Sequence, residues 1–430
     1  MRVLHTSDWH LGVTYCDRSR ADEQASFLRW LLEAIEQHRV DVVLVAGDVF
    51  DTANPPAEAL AMYYGFLAKL ATLGGVTTSG GKRVAIVVGG NHDSASRLDA
   101  PRDALAALDV HVIGGHDPGR LESDLGGACG LLVPLVNRSG EVSLVVAAVP
   151  FLNDWRLGVR GFEASPEAQR DGMHEKFAAV YRGLADKAEA RFRGVPLMAT
   201  GHLTCLATRG ARVSAEDAVP FEINRVGTLG ALAPDVFDPR FAYVALGHIH
   251  RGFSVDGEAG RVRYSGTPVQ VSAAEGHANR SVLIVDIDAS GATATRLPVP
   301  TRRRLIALRG TFDEVREKLR GLAWSEGELP PYVAFEAELG APNPGAESEL
   351  RALRRQGPGG AAEIVSVRAE VARKGGAAGD LGAFARGHAL TPEEAFGFAW
   401  QGRHGPDSAP PIEVLQRFGQ LLSRLASGEG

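Results

Sequence analysis

Cysteine is scarce in this sequence. Cys16, Cys129 and Cys205 are the only three in 430 residues, and no two stand at a CxxC spacing. This argues against a disulfide framework or a structural zinc–thiolate site; a reducing compartment is the simplest reading. Long apolar runs are missing too. No stretch reaches the 18 or so apolar residues that a membrane span needs, so no membrane association is expected. The opening MRVLHTSDWHLG has no apolar core and turns polar by Asp8, unlike a secretory leader; the expected location is cytoplasmic. Positive charge is not in excess: 46 Lys and Arg against 52 Asp and Glu give a net charge of −6. The broad basic footprint of many nucleic-acid binders is therefore absent. Contact with a polyanion would have to come from local basic patches and bound cations. No internal repeat at a solenoid period stands out.

What is present is ordinary for a soluble globular chain: 45% hydrophobic and 23% charged residues. The length suggests two or three domains. Over roughly the first 290 residues, strand-like and helix-like segments alternate. RVLHTSD, DVVLVAGD and RVAIVVGGNHD are apolar runs that end in polar residues, as strands buried on both faces do. LLVPLV, SLVVAAVPF, PLMATGHLT, YVALGHIH and SVLIVDI continue the series. Asp22 to His38 reads as an amphipathic helix with Phe27, Trp30, Leu31, Ala34 and Ile35 on one face. Pro55 and Pro56 open a second helix through Leu60, Tyr64, Leu67 and Leu70. GGVTTSGGKR, from Gly74, reads as a flexible surface insertion. The fold class is α/β, a layered architecture with mixed sheets. Residues 300–375 read as strand, helix, strand, helix, strand, a small α+β module with Gly- and Pro-rich connections. Residues 390–430 offer two short helices. The second carries Ile412, Leu415, Phe418, Leu421, Leu422 and Leu425 on one stripe, the kind that docks in a partner's groove.

Five apolar strands end in metal-ligating residue types: Asp8 and His10; Asp48; Asn91 and His92, followed by Asp93; His202; and His248 and His250. Ligands of open α/β sheets gather at the carboxyl ends of strands, so five strands aim their chemistry at one edge. At the i, i+2 spacing of Asp8 and His10, and of His248 and His250, an extended segment puts both side chains on one side. A lone DxH, a lone GD or a lone strand-end His is commonplace and carries little. Five in order indicate a metal site. Phosphodiester hydrolysis needs an activated water and neutralised phosphoryl charge, which two divalent cations supply. Mixed nitrogen and oxygen donors suit manganese, iron or zinc better than calcium or magnesium.

The runs HTSDWHLG, VAGDVFD, GGNHD, TGHLT and ALGHIHRG resemble, in order and spacing, the five motifs of the calcineurin-like metallophosphoesterases. Their wording, with SGTPVQVSAAE after them, looks like that family's DNA nuclease branch, whose members work with an SMC-like ATPase. The resemblance implies a four-layer α/β/β/α phosphoesterase domain over 1–290. It further implies a DNA-capping domain over 300–375 and an ATPase-partner-binding helical arm over 390–430. It implies two divalent metal ions, Mn²⁺ foremost. Asp8, His10 and His250 would hold the first, Asn91, His202 and His248 the second, and Asp48 would bridge. His92 would face the scissile phosphate and assist the leaving group, and Asp93 would orient a neighbouring imidazole. The archaeal members carry a His three residues after the bridging Asp; here Asp51 stands there, as in the bacterial branch.

Basic residues lie beside and between these motifs. Arg251 follows His250 directly and is the expected substrate contact. Arg156, Arg160, Arg209, Arg212, Arg225 and the run Arg302–Arg304 read at least as well as a solvated face. Implied partners are DNA, the ATPase and a second copy of the chain. The segment from Asn54 to Leu73 is the interface candidate, because MYYGFLAKL carries more large apolar residues than one buried face needs. Two rival readings are another enzyme of the superfamily, a phosphatase or cyclic-nucleotide phosphodiesterase, and a scaffold that has lost catalysis. The phosphatases carry GDxVDRG and GNHE where this chain has GDVFDTA and GNHD, and a scaffold would lose ligands that this chain retains.

Overall fold

The computed structural model describes residues 1–115, 130–152, 166–206, 231–257, 260–276 and 280–371, with Trp400 and Val414 besides. The chain divides into two compact units, Met1–Asp217 with Leu229–Val371, and Ala218–Thr228 with Ala372–Gly430. All strands and helices named below belong to the first. Apart from Trp400 and Val414, the expected C-terminal helices lie outside the described residues, as do Cys129, Arg156, Arg160, Arg209, Arg212 and Arg225. Among the described residues no helix is long and apolar enough to cross a membrane.

Two six-stranded sheets organise the described residues up to Pro298. The first runs, edge to edge, Gly291–Pro298, Ser281–Asp288, Arg2–Thr6, Val42–Ala46, Val84–Val88 and Val110–Ile113. Its strands from Arg2–Thr6 onward are parallel, and the Ser281–Asp288 hairpin closes the other edge antiparallel. The second runs Phe253–Ser254, Val262–Tyr264, Phe241–Gly247, Leu197–His202, Val142–Ala147 and Leu132–Val136. Alternation along the strands sorts the layers. Val42, Leu44, Ile86 and Val88 join a core with the second sheet. Val43, Val45, Ala85 and Val87 instead face the helices Ala21–Gln37 and Ala57–Thr72. Tyr181, Leu184, Ala185 and Ala188 of the long helix Pro166–Arg191 pack into the second sheet's core. The result is helix, sheet, sheet, helix, the four layers implied by the family resemblance.

The helix Ala21–Gln37 buries Phe27, Leu28, Leu31, Ala34 and Ile35 as its apolar spacing predicts, with Trp30 half-buried at the margin. The Gly-rich segment from Gly74 differs from expectation. Thr77 is buried, Thr78 bonds the Arg39 carbonyl through both N–H and hydroxyl, and the Ser79 N–H reaches Asp41. The Thr78 hydroxyl and the N–H groups of Thr78 and Ser79 tie this segment to the turn before Val42–Ala46.

Residues 305–371 form a third, all-parallel sheet, Leu305–Thr311, Tyr332–Leu339 and Glu363–Val371, crossed by helices Phe312–Arg320 and Ala346–Ala352. The element order is the one its sequence predicts. A buried ion network joins this module to the sheets. Arg303 meets Glu23 at 2.6 Å, Glu23 meets Arg20 at 3.2 Å, and Arg20 donates to the Gln270 carbonyl. The Gln270 amide then clamps Leu305, accepting its N–H and donating to its carbonyl. The run Arg302–Arg304 is accordingly engaged within the protein: Arg304 pairs with Glu328, and Arg302 donates to Gly327.

Candidate metal centre

The strand ends meet where the two sheets abut. In the first sheet, the loop after Arg2–Thr6 is laced to the loop after Val42–Ala46 by Asp8 N–H to Gly47 O and His10 N–H to Asp48 O. Across the seam, Asp8 Oδ1 accepts the His248 N–H at 2.9 Å, and His202 Nδ1 donates to Ala46 O at 2.9 Å. Each sheet thereby fixes side chains of the other. Four of the predicted site residues have left-handed backbones, Asp8 (φ 53°), His10 (44°), Asp48 (49°) and His248 (98°). Such strain persists only where the surroundings over-determine it, and it clusters at functional sites. The glycines within the motifs are there for close approach. A Cβ on Gly90 would overlap Asp48, and one on Gly247 would overlap the Ala46 carbonyl.

All seven predicted ligands converge. Asp8, His10 and His250 each offer an atom within 4.8 Å of the others, and so do Asp8, Asp48 and His202. Asn91 Oδ1 lies 3.0 Å from both His202 Nε2 and His248 Nδ1. Asp48 Oδ2 lies 3.3 Å from His202 Nε2 and 3.7 Å from His10 Nε2. Asp8, His10, Asp48, His202 and His248 are buried, while Asn91 and His250 are half-buried toward the opening.

The donor set fits divalent cations on its own chemistry. His250 Nδ1 faces Glu275 at 2.9 Å, and His10 Nδ1 lies 3.2 Å from Asp51, close but poorly aligned for a hydrogen bond. With Nδ1 turned to Glu275, His250 offers its Nε2 lone pair inward, and His10 Nε2 lies 3.1 Å from it, so two imidazole nitrogens stand where one cation could take both. His248 Nε2 is buried without a hydrogen-bond partner, which leaves Nδ1 facing Asn91. Electrostatics show the same demand for positive charge. Burial opposes ionisation of Asp48, yet the imidazoles of His202, His10 and His92 hold its carboxyl well below the usual range. Burial also opposes charge on His202, but Asp48 raises it to about 9. The charge of His202 then joins burial in pushing His248 down to about 3.

His92 sits at the exposed rim. Its N–H donates to Asp48 Oδ1, and its Nδ1 lies 2.7 Å from the Asp51 carbonyl. Asp93 does not play the part expected of it. Its carboxylate accepts the backbone N–H groups of Val49, Phe50 and Gly90, and so ties two motif loops together instead of orienting an imidazole. Burial and the Asp48 charge raise Asp93 to about 6 despite these donors. Arg251 is half-buried beside His250. Two residues to which the sequence assigns no role, Asp51 and Glu275, are the carboxylates that face His10 and His250. Glu275 closes the run SGTPVQVSAAE, a signal that could have drawn attention to it.

Two facing sheets with a mixed His, Asp and Asn cluster at their carboxyl edge define a metallophosphoesterase. The calcineurin-like phosphoesterase family profile matches residues 1–252, and the chain belongs to that family. Its relatives narrow the class. The SbcD subunit of the nuclease SbcCD from Rhodobacter capsulatus is 38% identical over 306 residues, 70% of this chain and 69% of that protein. The protein of the same name from Escherichia coli K12 is 33% identical over 350 residues, 79% and 78%. That from Bacillus subtilis is 32% identical over 290 residues, 66% of each. The chain is a phosphodiester hydrolase of this nuclease group, and it depends on divalent metal ions.

Proposed function

We propose that this chain is the nuclease subunit of a DNA-end-processing complex, a double-strand exonuclease and single-strand or hairpin endonuclease that works with an SMC-like ATPase in repair and recombination. The observation that carries the reading is the convergence of His, Asp and Asn donors at one edge, with His10 Nε2 and His250 Nε2 3.1 Å apart within it. Asp8, His10 and His250 would hold one cation, Asn91, His202 and His248 the other, with Asp48 placed to serve both. Mn²⁺ suits this donor set. Two such ions, when bound, neutralise phosphoryl charge and activate water.

The chain's own groups do the rest. His92, held through Nδ1–H by the Asp51 carbonyl, keeps Nε2 for proton exchange: as imidazolium it gives its Nε2 proton to the departing 3′-oxygen and is left as the neutral Nδ1–H imidazole. Asp93 keeps the Asp48 and Asn91 loops in register through its three amide contacts. Arg251 contacts a substrate phosphate. The 305–371 module caps the DNA, and the segment 390–430 binds the ATPase. With a net charge of −6 the chain alone holds duplex DNA weakly, which is why a second DNA-binding surface from the ATPase is needed. A homodimer forms through the segment from Asn54 to Leu73, whose helix Ala57–Thr72 turns Ala59, Tyr63, Phe66, Leu67 and Leu70 inward and keeps Leu60, Met62 and Tyr64 half-buried at the margin of that core, where a second copy can cover them.

The test is hydrolysis of linear duplex, hairpin and single-stranded DNA, of a phosphoprotein and of bis-p-nitrophenyl phosphate, with Mn²⁺ and with excess chelator. Metal-dependent cleavage of the DNA substrates, with long duplex needing the ATPase, is expected. Preference for the phosphoprotein, or undiminished DNA cleavage in chelator, would overturn the assignment. Light scattering of the isolated chain tests the dimer.

A further inference from the structure

Glu275 lies outside the five motifs, and no step above uses it. Its side chain is 9% exposed and its two oxygens are fully engaged. Oε1 faces His250 Nδ1 at 2.9 Å and accepts the Ser272 N–H at 3.2 Å. Oε2 accepts the Val271 N–H at 3.1 Å and the Arg280 guanidinium at 2.7 Å. Three other N–H groups, one of them on the Arg280 guanidinium, already bond this carboxylate and favour its ionised form, so His250 is the donor, from Nδ1. Arg280 holds the same residue from behind: its other nitrogen donates to the His250 carbonyl at 3.1 Å, which also accepts the Thr267 N–H. One ion pair thus grips both the ring and the backbone of His250. The Nε2 lone pair is left facing His10.

We propose that Glu275 is a positioning residue for His250: it fixes the Nδ1–H tautomer and the ring plane, so that Nε2 is presented to the cation. The inference rests on the assignment of His250 as a ligand. Removing such a partner costs roughly 10–100-fold in metal affinity. A purely structural role is the competing account, because Glu275 also completes a capping box with Ser272 around the short turn Ala273–Glu275. Ser272 separates the two accounts. Its hydroxyl supplies the other half of the box, to the Ala274 N–H, and has no hydrogen bond to His250.

The experiment titrates Mn²⁺ calorimetrically into metal-stripped full-length wild type, Glu275→Gln, Ser272→Ala and His250→Ala. A glutamine offers one oxygen where the carboxylate has two, so an amide NH₂ meets N–H donors. Glu275→Gln is expected to weaken one of two sites by 10–100-fold and spare the other, Ser272→Ala to bind as wild type, and His250→Ala to lose the site that Glu275→Gln weakens. If Glu275→Gln binds both ions as wild type does while His250→Ala loses one, the proposal is wrong. Equal losses in Glu275→Gln and Ser272→Ala would show a structural role and overturn it. Retention of both ions by His250→Ala would remove the ligand assignment and the proposal with it. Should Glu275→Gln fail to fold, ¹⁵N-histidine spectra of the unsubstituted metal-free protein decide: Nδ1–H at His250 is expected, and Nε2–H refutes.

Discussion

Adding one methyl group at Gly90 should remove metal binding while leaving the fold in place. A Cβ there would overlap the Asp48 side-chain oxygen and its backbone N. The backbone N belongs to a loop pinned by Asp8 and His10, so it cannot retreat cheaply. Overpacking of this kind costs about 1–3 kcal/mol, and the backbone contact puts Gly90→Ala toward the upper end. Relief must come from shifting the Gly90 backbone away from the Asp48 loop and displacing the Asp48 carboxylate. That breaks its bond from the His92 N–H and disturbs the Asp93 to Gly90 contact, both 2.9 Å. The control is Gly65→Ala, the same chemical change in the middle of helix Ala57–Thr72, where an added Cβ meets nothing within 4 Å. That variant should gain about 0.4–1 kcal/mol through reduced chain entropy. The assay is metal content by elemental analysis, with thermal melting in Mn²⁺ and in chelator. Wild type and Gly65→Ala should melt higher in Mn²⁺, by mass action on the folded state. Gly90→Ala should melt at one temperature in both. Full metal content in Gly90→Ala would refute the claim that close approach at this glycine sets the position of Asp48.

Glu23→Ala should destabilise the protein by about 3–5 kcal/mol, since it strands Arg20, whose side chain is 0% exposed, beside Arg303; chemical denaturation checks this, and a replacement of all three charges by apolar residues should recover much of the loss. His5 is buried, donates from Nε2 to Leu246 O and accepts from the Tyr243 hydroxyl, and burial lowers it to about 3. The unfolded chain takes up a proton below about pH 6.5 while the folded one does not, so this stability is whole above 6.5 and drains by about 1.4 kcal/mol per unit as pH falls toward 3. His5→Asn should show a shallower acid limb in denaturation, and an unchanged slope would contradict it. His92→Gln should keep both metals yet slow hydrolysis by roughly 10²–10⁴-fold; loss of metal would show instead that the ring supports the ligands.

The five motifs were legible because their chemistry is local. A buried parallel strand is a short apolar run, and its end is marked by a polar residue beside a glycine. What joins the motifs was not legible, because it lies across the chain. Glu275 is 25 residues from His250, the Asp51 carbonyl 41 from His92, and Glu23 is 280 from Arg303. The Arg302–Arg304 run shows the consequence. As sequence it offers three cations to solvent or DNA, but in the fold it faces Glu23, Glu328 and a carbonyl. Asp93 is the opposite case: adjacency to His92 suggested an imidazole partner, while the turn it sits in aims it at backbone amides. Helix Pro166–Arg191 carried a readable signal, Met173, Phe177, Val180 and Leu184 at helical spacing and all buried, yet it was not among the expected elements.

The strained backbones argue for what holds the site together. Each left-handed non-glycine residue costs on the order of 1–3 kcal/mol, and four of them lie within one cluster. Hydrogen bonds inside one sheet cannot account for the retention of all four, because His248 belongs to the second sheet and Asp8, His10 and Asp48 to the first. Within the first sheet the Asp8 and His10 N–H groups bond the Gly47 and Asp48 carbonyls, and across the seam the His248 N–H bonds Asp8 and His202 bonds the Ala46 carbonyl. The site is therefore a joint between two sheets before it is a metal centre. Ions held by donors from both sheets would tighten that joint, so their removal is expected to loosen the carboxyl edge where the sheets meet before the cores behind it.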